Sequence, residues 1–271
     1  MDSDHAREIY KKYAASVVYV AVESDDGTQG IGSAFHVGDG VFVTAKHVVE
    51  GKRIVEVGIT EQVHIKLSGR EAETARSHVV IGDADPIAVH AIFPGTIPVT
   101  WGPYGHRDSQ FDIAVFGADV DEKLPAIPLG GHLDDWISPD GFLLSDALVM
   151  GYPPIPTTSG PYLVAAKAEV NSVIDPRDVR TVHFVLSAAP RGGFSGGVAF
   201  SEWDFALGMI TRSLILNDGL ENLGYMSVIS VEQIWVCLAQ HDCIPDAQGE
   251  GWKPSDWLDW KHLFTSLHPE V

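Results

Sequence analysis

Three short stretches, separated by long intervals, place a histidine, an aspartate and a serine in a fixed order along the chain. His47 follows the strand-like run 41–44, Asp112 precedes the apolar run 113–115, and Ser195 lies in the glycine-rich stretch Gly192-Gly193-Phe194-Ser195-Gly196-Gly197. A serine hydroxyl is a weak nucleophile near neutral pH. An imidazole must accept its proton, and a carboxylate must hold that imidazole in the correct tautomer. The three residues therefore supply a nucleophile, a base and a carboxylate suited to peptide hydrolysis.

The histidine and the aspartate each have ordinary explanations that must be weighed against catalysis. His47 is one of 12 histidines, but the sequence Ala45-Lys46-His47-Val48-Val49 after an apolar strand favours a catalytic role. Asp108 and Asp119 compete with Asp112 for the role of the carboxylate. A buried aspartate beside an apolar strand is costly unless its charge is paired. An imidazole partner would explain Asp112, whereas Asp108 lies in the polar loop 102–110 and needs no partner.

The serine motif also fits a different class of hydrolase. Gly193-Phe194-Ser195-Gly196-Gly197 matches G-x-S-x-G, the nucleophile elbow of the α/β-hydrolases. That elbow is followed by a helix, and its histidine comes after the serine. Here the segments 198–200 and 206–211 are typical of two strands. The histidine that directly follows an apolar strand, His47, comes before the serine and not after it. An esterase is therefore disfavoured, although three later histidines keep it open: His241, His262 and His268.

At these residues the chain resembles the trypsin-like serine peptidases, and the chain order His, Asp, Ser is theirs. It resembles the bacterial HtrA-like branch more than secreted digestive proteases, without room for an appended PDZ domain. The resemblance covers about Ala15 to Leu238, and it includes the segments Gly30–Val37, Ile127–Gly130, Val149–Pro153 and Ala206–Ile210. It implies an all-β fold of two six-stranded antiparallel β-barrels with a C-terminal helix and a short helical extension. The spacings of 65 and 83 residues between the three motif residues leave room for these strands.

The resemblance also implies how the oxyanion of the reaction would be bound. The backbone N–H groups of Gly193 and Ser195 are the expected oxyanion hole. Phe194 stands where secreted family members matured by cleavage carry an acid that pairs with the freed N-terminus. Activation by N-terminal cleavage is therefore not expected, and the oxyanion loop can instead be ordered when a substrate or a partner binds.

The same resemblance places the pocket for the substrate residue before the scissile bond. Its expected residues are Ala189, Pro190, Ile210, Thr211, Arg212, Tyr225 and Met226. Cleavage after Lys or Arg needs an acid at the first of these positions, because a buried cationic head must be paired. Ala189 supplies none, so we expect a preference for small or medium apolar residues. If Arg212 turns inward, an acidic residue is expected instead.

Patterns of hydrophobicity and turn residues divide the chain into five expected segments. Val231–Gln240 has the apolar spacing of a docked helix, and the aromatic residues after Pro254 predict a further helix over 255–267. The expected segments are an N-terminal helix (1–14), a first β-barrel (15–118), an inter-barrel linker (119–141), a second β-barrel with its helix (142–244) and a C-terminal helical extension (245–271).

Composition narrows the choice of partners and cofactors. The 271 residues include 18 Lys and Arg against 37 Asp and Glu, a net charge of −19. Nucleic-acid binding needs clustered Lys and Arg, so no such partner is expected. The sequence contains no run of 18 apolar residues, so no membrane-spanning helix is expected. The charged N-terminus lacks a secretory region, which favours the cytoplasm.

Metal and redox chemistry find no support in the sequence. No H-E-x-x-H, C-x-x-C or H-x-H motif is present, so neither a metal nor another cofactor is expected. Cys237 and Cys243 are the only cysteines, and we expect free thiols rather than a disulfide.

Three functions remain open at this stage. An active serine endopeptidase acting on protein or peptide substrates is favoured by the complete set of His47, Asp112, Ser195 and Gly193. A protease-like binding module without turnover is the main alternative, and a G-x-S-x-G esterase is the weaker one. A cytosolic protease would need restraint, which could come from tight specificity, a regulatory protein partner or a latent oxyanion loop.

Overall fold

A computed structural model describes most of the chain in 15 strands and four short or medium helices. The described residues are 1–61, 63–66, 87–90, 95–130, 141–174, 182–188, 192–216 and 221–249, with backbone only for 63–66, 87–90, 212–216 and 221–223. The helices are α1 (Ser3–Tyr13), α2 (Lys46–Val49), α3 (Val231–Gln240) and α4 (Asp246–Gly249), with a 3-10 turn at Ala14–Ser16.

The strands occupy the segments where apolar and β-branched residues alternate or run together. The first nine are β1 (Val17–Ser24), β2 (Gln29–Gly38), β3 (Val41–Thr44), β4 (Lys52–Ile59), β5 (Val63–Lys66), β6 (Ile87–His90), β7 (Gly95–Thr96), β8 (Val99–Gly105) and β9 (Ala114–Ala118). The others are β10 (Asp146–Gly151), β11 (Val164–Ile174), β12 (His183–Leu186), β13 (Val198–Ser201), β14 (Ala206–Leu216) and β15 (Glu221–Ser230).

The N-terminal half forms a curled antiparallel sheet rather than a closed six-stranded barrel. Its seven strands have the order β7-β4-β1-β2-β3-β9-β8, and β5 pairs with β6 in a separate two-stranded sheet. The all-β expectation is confirmed, but the expected closure of the first barrel is not seen among the described residues. In the described ranges the end strands β7 and β8 are not paired with each other, and the sheet has the form of a half-barrel.

The C-terminal half is the closed barrel that the sequence predicts. Its six antiparallel strands follow the order β10-β11-β12-β15-β14-β13, and β13 pairs back with β10 to complete the ring. Large apolar side chains from several of these strands are completely buried, among them Met150, Phe184, Leu186 and Phe200.

Helix α1 contacts the second barrel, and helix α3 buries one apolar face. Asp2 caps α1 by accepting hydrogen bonds from the backbone N–H groups of Asp4 and His5. Tyr13 at the end of α1 stacks on Phe200 of the second barrel, with 5.2 Å between ring centroids. The expected face of α3 is buried, and Trp235 is only 2% exposed. The helix predicted over 255–267 lies outside the described residues.

Other features concern thiols, metals and membranes. Cys237 and Cys243 are both free, as the sequence predicts. Across the portion of the chain that the structure describes, no group of three or more His, Cys, Asp or Glu side chains is placed to bind a metal ion. No helix in those same ranges is long and apolar enough to span a bilayer.

Candidate active site

Pairing between β3 and β9 brings the histidine and the aspartate together. Thr44 at the end of β3 lies opposite Ala114 at the start of β9. His47 follows Thr44 by three residues and Asp112 precedes Ala114 by two, so both side chains project at the same edge of the sheet. The Nδ1 atom of His47 lies 2.6 Å from Oδ2 of Asp112, and the backbone N–H of His47 donates to Oδ1 over 2.8 Å.

This geometry determines the tautomer of the imidazole. An ionised carboxylate can only accept hydrogen bonds, so Nδ1 of His47 carries the proton and Nε2 keeps its lone pair in the neutral ring. The Asp112 side chain is 16% exposed, whereas that of His47 is 40% exposed. The carboxylate is therefore sheltered, and the imidazole remains accessible to a reacting group.

A lysine that sequence reasoning missed supports the helix that carries His47. The Nζ atom of Lys52 donates to the carbonyl oxygens of His47 and Val48, over 2.7 Å and 3.3 Å. These carbonyls belong to the short helix α2, whose last C=O groups lack partners within the helix. A cation at a helix C-terminus also interacts favourably with the helix dipole. The only sequence signal is a lysine following Gly51 just beyond the helix.

The competing aspartates have other surroundings. Asp108 accepts a hydrogen bond from the backbone N–H of Gln110 over 2.9 Å, which makes it a turn residue in the polar loop. Asp119 is exposed beyond the end of β9. Of the three candidates, Asp112 is the one that the structure places against His47.

A buried histidine lies in the loop that leads to Asp112. His106 is 2% exposed, and its backbone N–H donates to the carbonyl of Ile113 over 2.8 Å. Its ring packs edge-on against Phe111, with 4.6 Å between centroids. Burial lowers the pKa of His106 to about 4, because the charged imidazolium is poorly solvated there, and nearby Asp108 opposes this effect only in part.

We expect this histidine to make folding stability sensitive to pH. The unfolded chain binds a proton at His106 below about pH 6.5 and the folded protein only below about 4, so the free energy of unfolding falls as the pH decreases through this range. The difference amounts to about 3 kcal/mol at about 1.4 kcal/mol for each pKa unit. His106→Asn should flatten the profile measured by denaturant titration between these pH values. An unchanged slope would assign the effect to other groups, of which His36 also has a pKa lowered by burial.

The loop that carries Ser195 is held in place from two directions. The backbone N–H of Ser33 on β2 donates to the carbonyl of Ser195 over 2.9 Å. The backbone N–H of Gly196 donates to the carbonyl of Ile210 on β14 over 2.8 Å. The serine loop is thereby fixed between the first sheet, which carries His47, and the second barrel.

The Ser195 hydroxyl is not directed at the imidazole in this structure. Its Oγ donates to the carbonyl of Thr211 over 2.8 Å. The described contacts include no hydrogen bond between Ser195 and His47. Because a hydroxyl has one proton to donate, the hydrogen bond to Thr211 uses the proton of Ser195 in this structure.

Two glycines of this loop have backbone conformations that other residues rarely adopt. Gly193 has φ of +89°, and a Cβ atom there would lie 2.4 Å from the carbonyl oxygen of Tyr152. Gly196 has φ of +84°, and its Cβ atom would lie 2.0 Å from the carbonyl oxygen of Ser33. Within the described residues, the N–H groups of Gly193 and Ser195 have no backbone acceptor. The loop therefore depends on glycine, and these two N–H groups have no backbone acceptor in the described ranges.

Comparison with known proteins identifies the family. Residues 32–209, well over half of the chain, match the model of the trypsin-like peptidase domain. This chain belongs to the trypsin-like peptidase family. The resemblance inferred from the motifs is confirmed, and the chain is a serine endopeptidase of this family.

Solved structures of similar fold include two kinds of protease. The active form of the Rv3671c protease from M. tuberculosis has 17% identity and a TM-score of 0.55, with 88% of this chain and 86% of that chain covered. The HtrA-type protease AlgW with a tripeptide has 16% identity and a TM-score of 0.56, with 88% of this chain and 63% of that chain covered. At these identities the likeness establishes the fold alone. No curated protein sequence matches the chain.

The expected specificity pocket of this peptidase is described only in part. Ile210, Thr211 and Met226 are buried at 2%, 5% and 1% exposure, and Tyr225 is 42% exposed. Two further members of the expected set, Ala189 and Pro190, lie outside the described residues. Arg212 lies on β14, where only the backbone is described.

Proposed function

We propose that this peptidase cleaves peptide bonds through a triad of His47, Asp112 and Ser195 and an acyl-enzyme intermediate. The hydrogen-bonded pair of His47 and Asp112 is the observation that carries the proposal, because it leaves Nε2 ready to accept a proton. The second barrel supplies Ser195 on a loop hydrogen-bonded to the first sheet. The arrangement suits general-base activation of a serine.

The reaction would proceed in two halves. Ser195 leaves the carbonyl of Thr211, gives its proton to Nε2 of His47 and forms a bond from Oγ to the substrate carbonyl carbon. Breaking the C–N bond then transfers that proton from the imidazolium to the leaving amine. Water, deprotonated by the same nitrogen, then attacks the acyl carbon. The imidazolium returns this proton to Oγ as the bond between Oγ and the acyl carbon breaks, which releases the carboxylic acid and restores Ser195. Asp112 keeps the imidazolium oriented and stabilised throughout.

The oxyanion of each tetrahedral intermediate would be bound by the backbone N–H groups of Gly193 and Ser195. Neither N–H has a backbone acceptor in the described part of the chain, which supports this assignment. Backbone donors fixed in advance stabilise developing charge without reorganisation during the reaction.

The esterase alternative needs features that differ from those observed. An α/β-hydrolase serine is followed by a helix. Here Ser195 is followed by strand β13, and the imidazole paired with a carboxylate comes from His47, far earlier in the chain. The peptidase is therefore the function that the geometry supports best.

Labelling with a fluorophosphonate probe tests whether Ser195 is an activated nucleophile. The wild-type protein should gain one probe mass, and peptide mapping should locate it on Ser195. Ser195→Ala and His47→Ala should remain unlabelled. Asp119→Ala removes an exposed aspartate away from His47 and should be labelled like the wild type. An unlabelled wild-type protein would favour the binding module that keeps the fold without turnover.

We further propose that substrates are cleaved after small or medium apolar residues. The expected first position of the pocket is Ala189, which carries no acid to pair with a substrate Lys or Arg. A proteome-derived peptide library should therefore show poor cleavage after basic residues. A profile dominated by Lys or Arg would contradict this pocket. A profile dominated by Asp or Glu that disappears in Arg212→Ala would instead place Arg212 inside it.

The contact between Ser195 and Thr211 also provides a means of restraining the activity. The hydrogen bond from Ser195 to Thr211 must break before catalysis, so a substrate or a regulatory protein partner that favours the rotated hydroxyl would raise activity. Protein or peptide substrates are the partners that this site requires.

A further inference from the structure

Ser33 is a buried residue whose polar groups all face the catalytic loop or its neighbours. It lies on β2 and is 0% exposed. Its backbone N–H donates to the carbonyl of Ser195 over 2.9 Å, and its Oγ donates to the carbonyl of Gly193 over 2.6 Å. The same Oγ accepts the backbone N–H of Tyr152 over 2.8 Å, and the Ser33 carbonyl accepts Oγ1 of Thr44 over 2.7 Å.

These contacts act on the peptide group that separates the two proposed oxyanion donors. The carbonyl of Gly193 belongs to the peptide plane between Gly193 and Phe194, which is flanked by the planes that carry the N–H groups of Gly193 and Ser195. Rotation of this middle plane would tilt both neighbours. Glycine imposes little restriction on its own backbone dihedrals, so Gly193 cannot prevent that rotation by itself.

The surroundings of Ser33 suit a hydroxyl in particular. Its Oγ uses its one proton on Gly193 and a lone pair on Tyr152, so it satisfies a donor and an acceptor at once. An alanine would leave both backbone groups without this partner in a buried position, which is unfavourable. Little space is available beside it, since a Cβ atom on Gly151 would lie 3.0 Å from Ser33 Oγ.

We propose that Ser33 is a positioning residue that holds the oxyanion loop in its catalytic conformation. The inference rests on the proposed function, because it concerns the same oxyanion hole. Ser33 does not touch the reacting atoms. It fixes the carbonyls of Gly193 and Ser195 from the first sheet, so that the N–H groups of Gly193 and Ser195 keep a constant direction.

Ser33→Ala tests this role, and Ser16→Ala is a matched control. Ser16 is also a 0% exposed serine of the N-terminal half, and its Oγ donates to the carbonyl of Pro125 over 2.7 Å. Removing one oxyanion donor costs about 10²–10³-fold in kcat, so loss of a group that only orients the donors should cost about 10–100-fold. Ser33→Ala should lower kcat by this factor with KM nearly unchanged, while Ser16→Ala keeps the wild-type kcat.

Two further readouts separate positioning from a general loss of stability. A peptide boronate inhibitor, which places an oxyanion in the site, should bind Ser33→Ala more weakly by a factor similar to the loss in kcat. Amide hydrogen exchange over 192–196 should be faster in Ser33→Ala than in Ser16→Ala, whether or not a good substrate is known. These differences should persist at temperatures where both variants are fully folded.

The outcomes distinguish this inference from the proposed function. If the wild type cleaves peptides and Ser33→Ala matches it in kcat, boronate affinity and amide exchange, Ser33 is not a positioning residue. If the wild type and Ser195→Ala are equally inactive, the proposed function fails, and amide exchange alone decides whether Ser33 orders the loop. A similar loss of kcat in Ser16→Ala would also overturn the inference.

Discussion

Ser195→Ala, His47→Ala and Asp112→Ala should each lower kcat for a good peptide substrate by about 10⁴-fold or more while the fold is retained. Each substitution removes one part of the proposed triad: the nucleophile Ser195, the proton acceptor His47, or the Asp112 carboxylate, whose Oδ2 lies 2.6 Å from Nδ1 of His47. Steady-state kinetics measure the loss, and circular dichroism verifies that the strands remain.

Double substitutions provide a more demanding check of the same prediction. Because the triad acts as a unit, Ser195→Ala combined with His47→Ala should lose little beyond the single variants. Asp108→Ala and Asp119→Ala remove the two other candidate carboxylates and should keep most of the activity. Nearly normal turnover by Asp112→Ala would refute its assignment and direct attention to those two residues.

Gly193→Ala should lower kcat by about 10²–10³-fold, the cost of losing one oxyanion donor. The new Cβ atom would lie 2.4 Å from the carbonyl oxygen of Tyr152 at a φ of +89°, so the backbone must move and its N–H must turn. Gly192→Ala is the matched control, because a Cβ atom there meets no atom within 4 Å. The values of kcat and of boronate affinity should fall in Gly193→Ala and stay near those of the wild type in Gly192→Ala. The difference between the two variants measures the effect of the backbone conformation at Gly193.

Wild-type activity of both Gly193→Ala and Gly192→Ala would exclude Gly193 as an oxyanion donor. Equal losses in both would instead indicate that the loop tolerates no alanine at either position, independent of the direction of the Gly193 N–H. Thermal unfolding of both variants shows whether the fold itself has been weakened.

The fold and the pairing of His47 with Asp112 could be predicted because their signals are local. Each residue stands beside a strand whose apolar pattern is visible in the sequence, and the glycines around Ser195 indicate a loop of unusual conformation. The half-barrel form of the first sheet could not be predicted. Strand patterns indicate where strands lie, but whether the end strands β7 and β8 pair depends on long-range register.

The hydrogen bonds that support the site could not be predicted from the sequence either, because they join residues with no local signal of their contact. Ser33 and Gly193 are separated by 160 residues, and nothing in their local patterns indicates that they are hydrogen-bonded. The hydrogen bond from Ser195 to Thr211 depends on a side-chain rotamer, which no sequence pattern specifies. The support of α2 by Lys52 is closer in sequence, but a lysine after a turn is ordinarily a solvated surface residue.

Cleavage of a proteome-derived peptide library by the wild type and by Ser195→Ala tests the central claim most directly. We expect the wild type to generate new peptide termini with a consistent residue preference before the cut. Ser195→Ala, purified in the same way, should generate none above background. Cleavage that persists unchanged in Ser195→Ala, or a wild-type protein that cleaves nothing across the library, would contradict the assignment of Ser195 as the nucleophile of a serine endopeptidase.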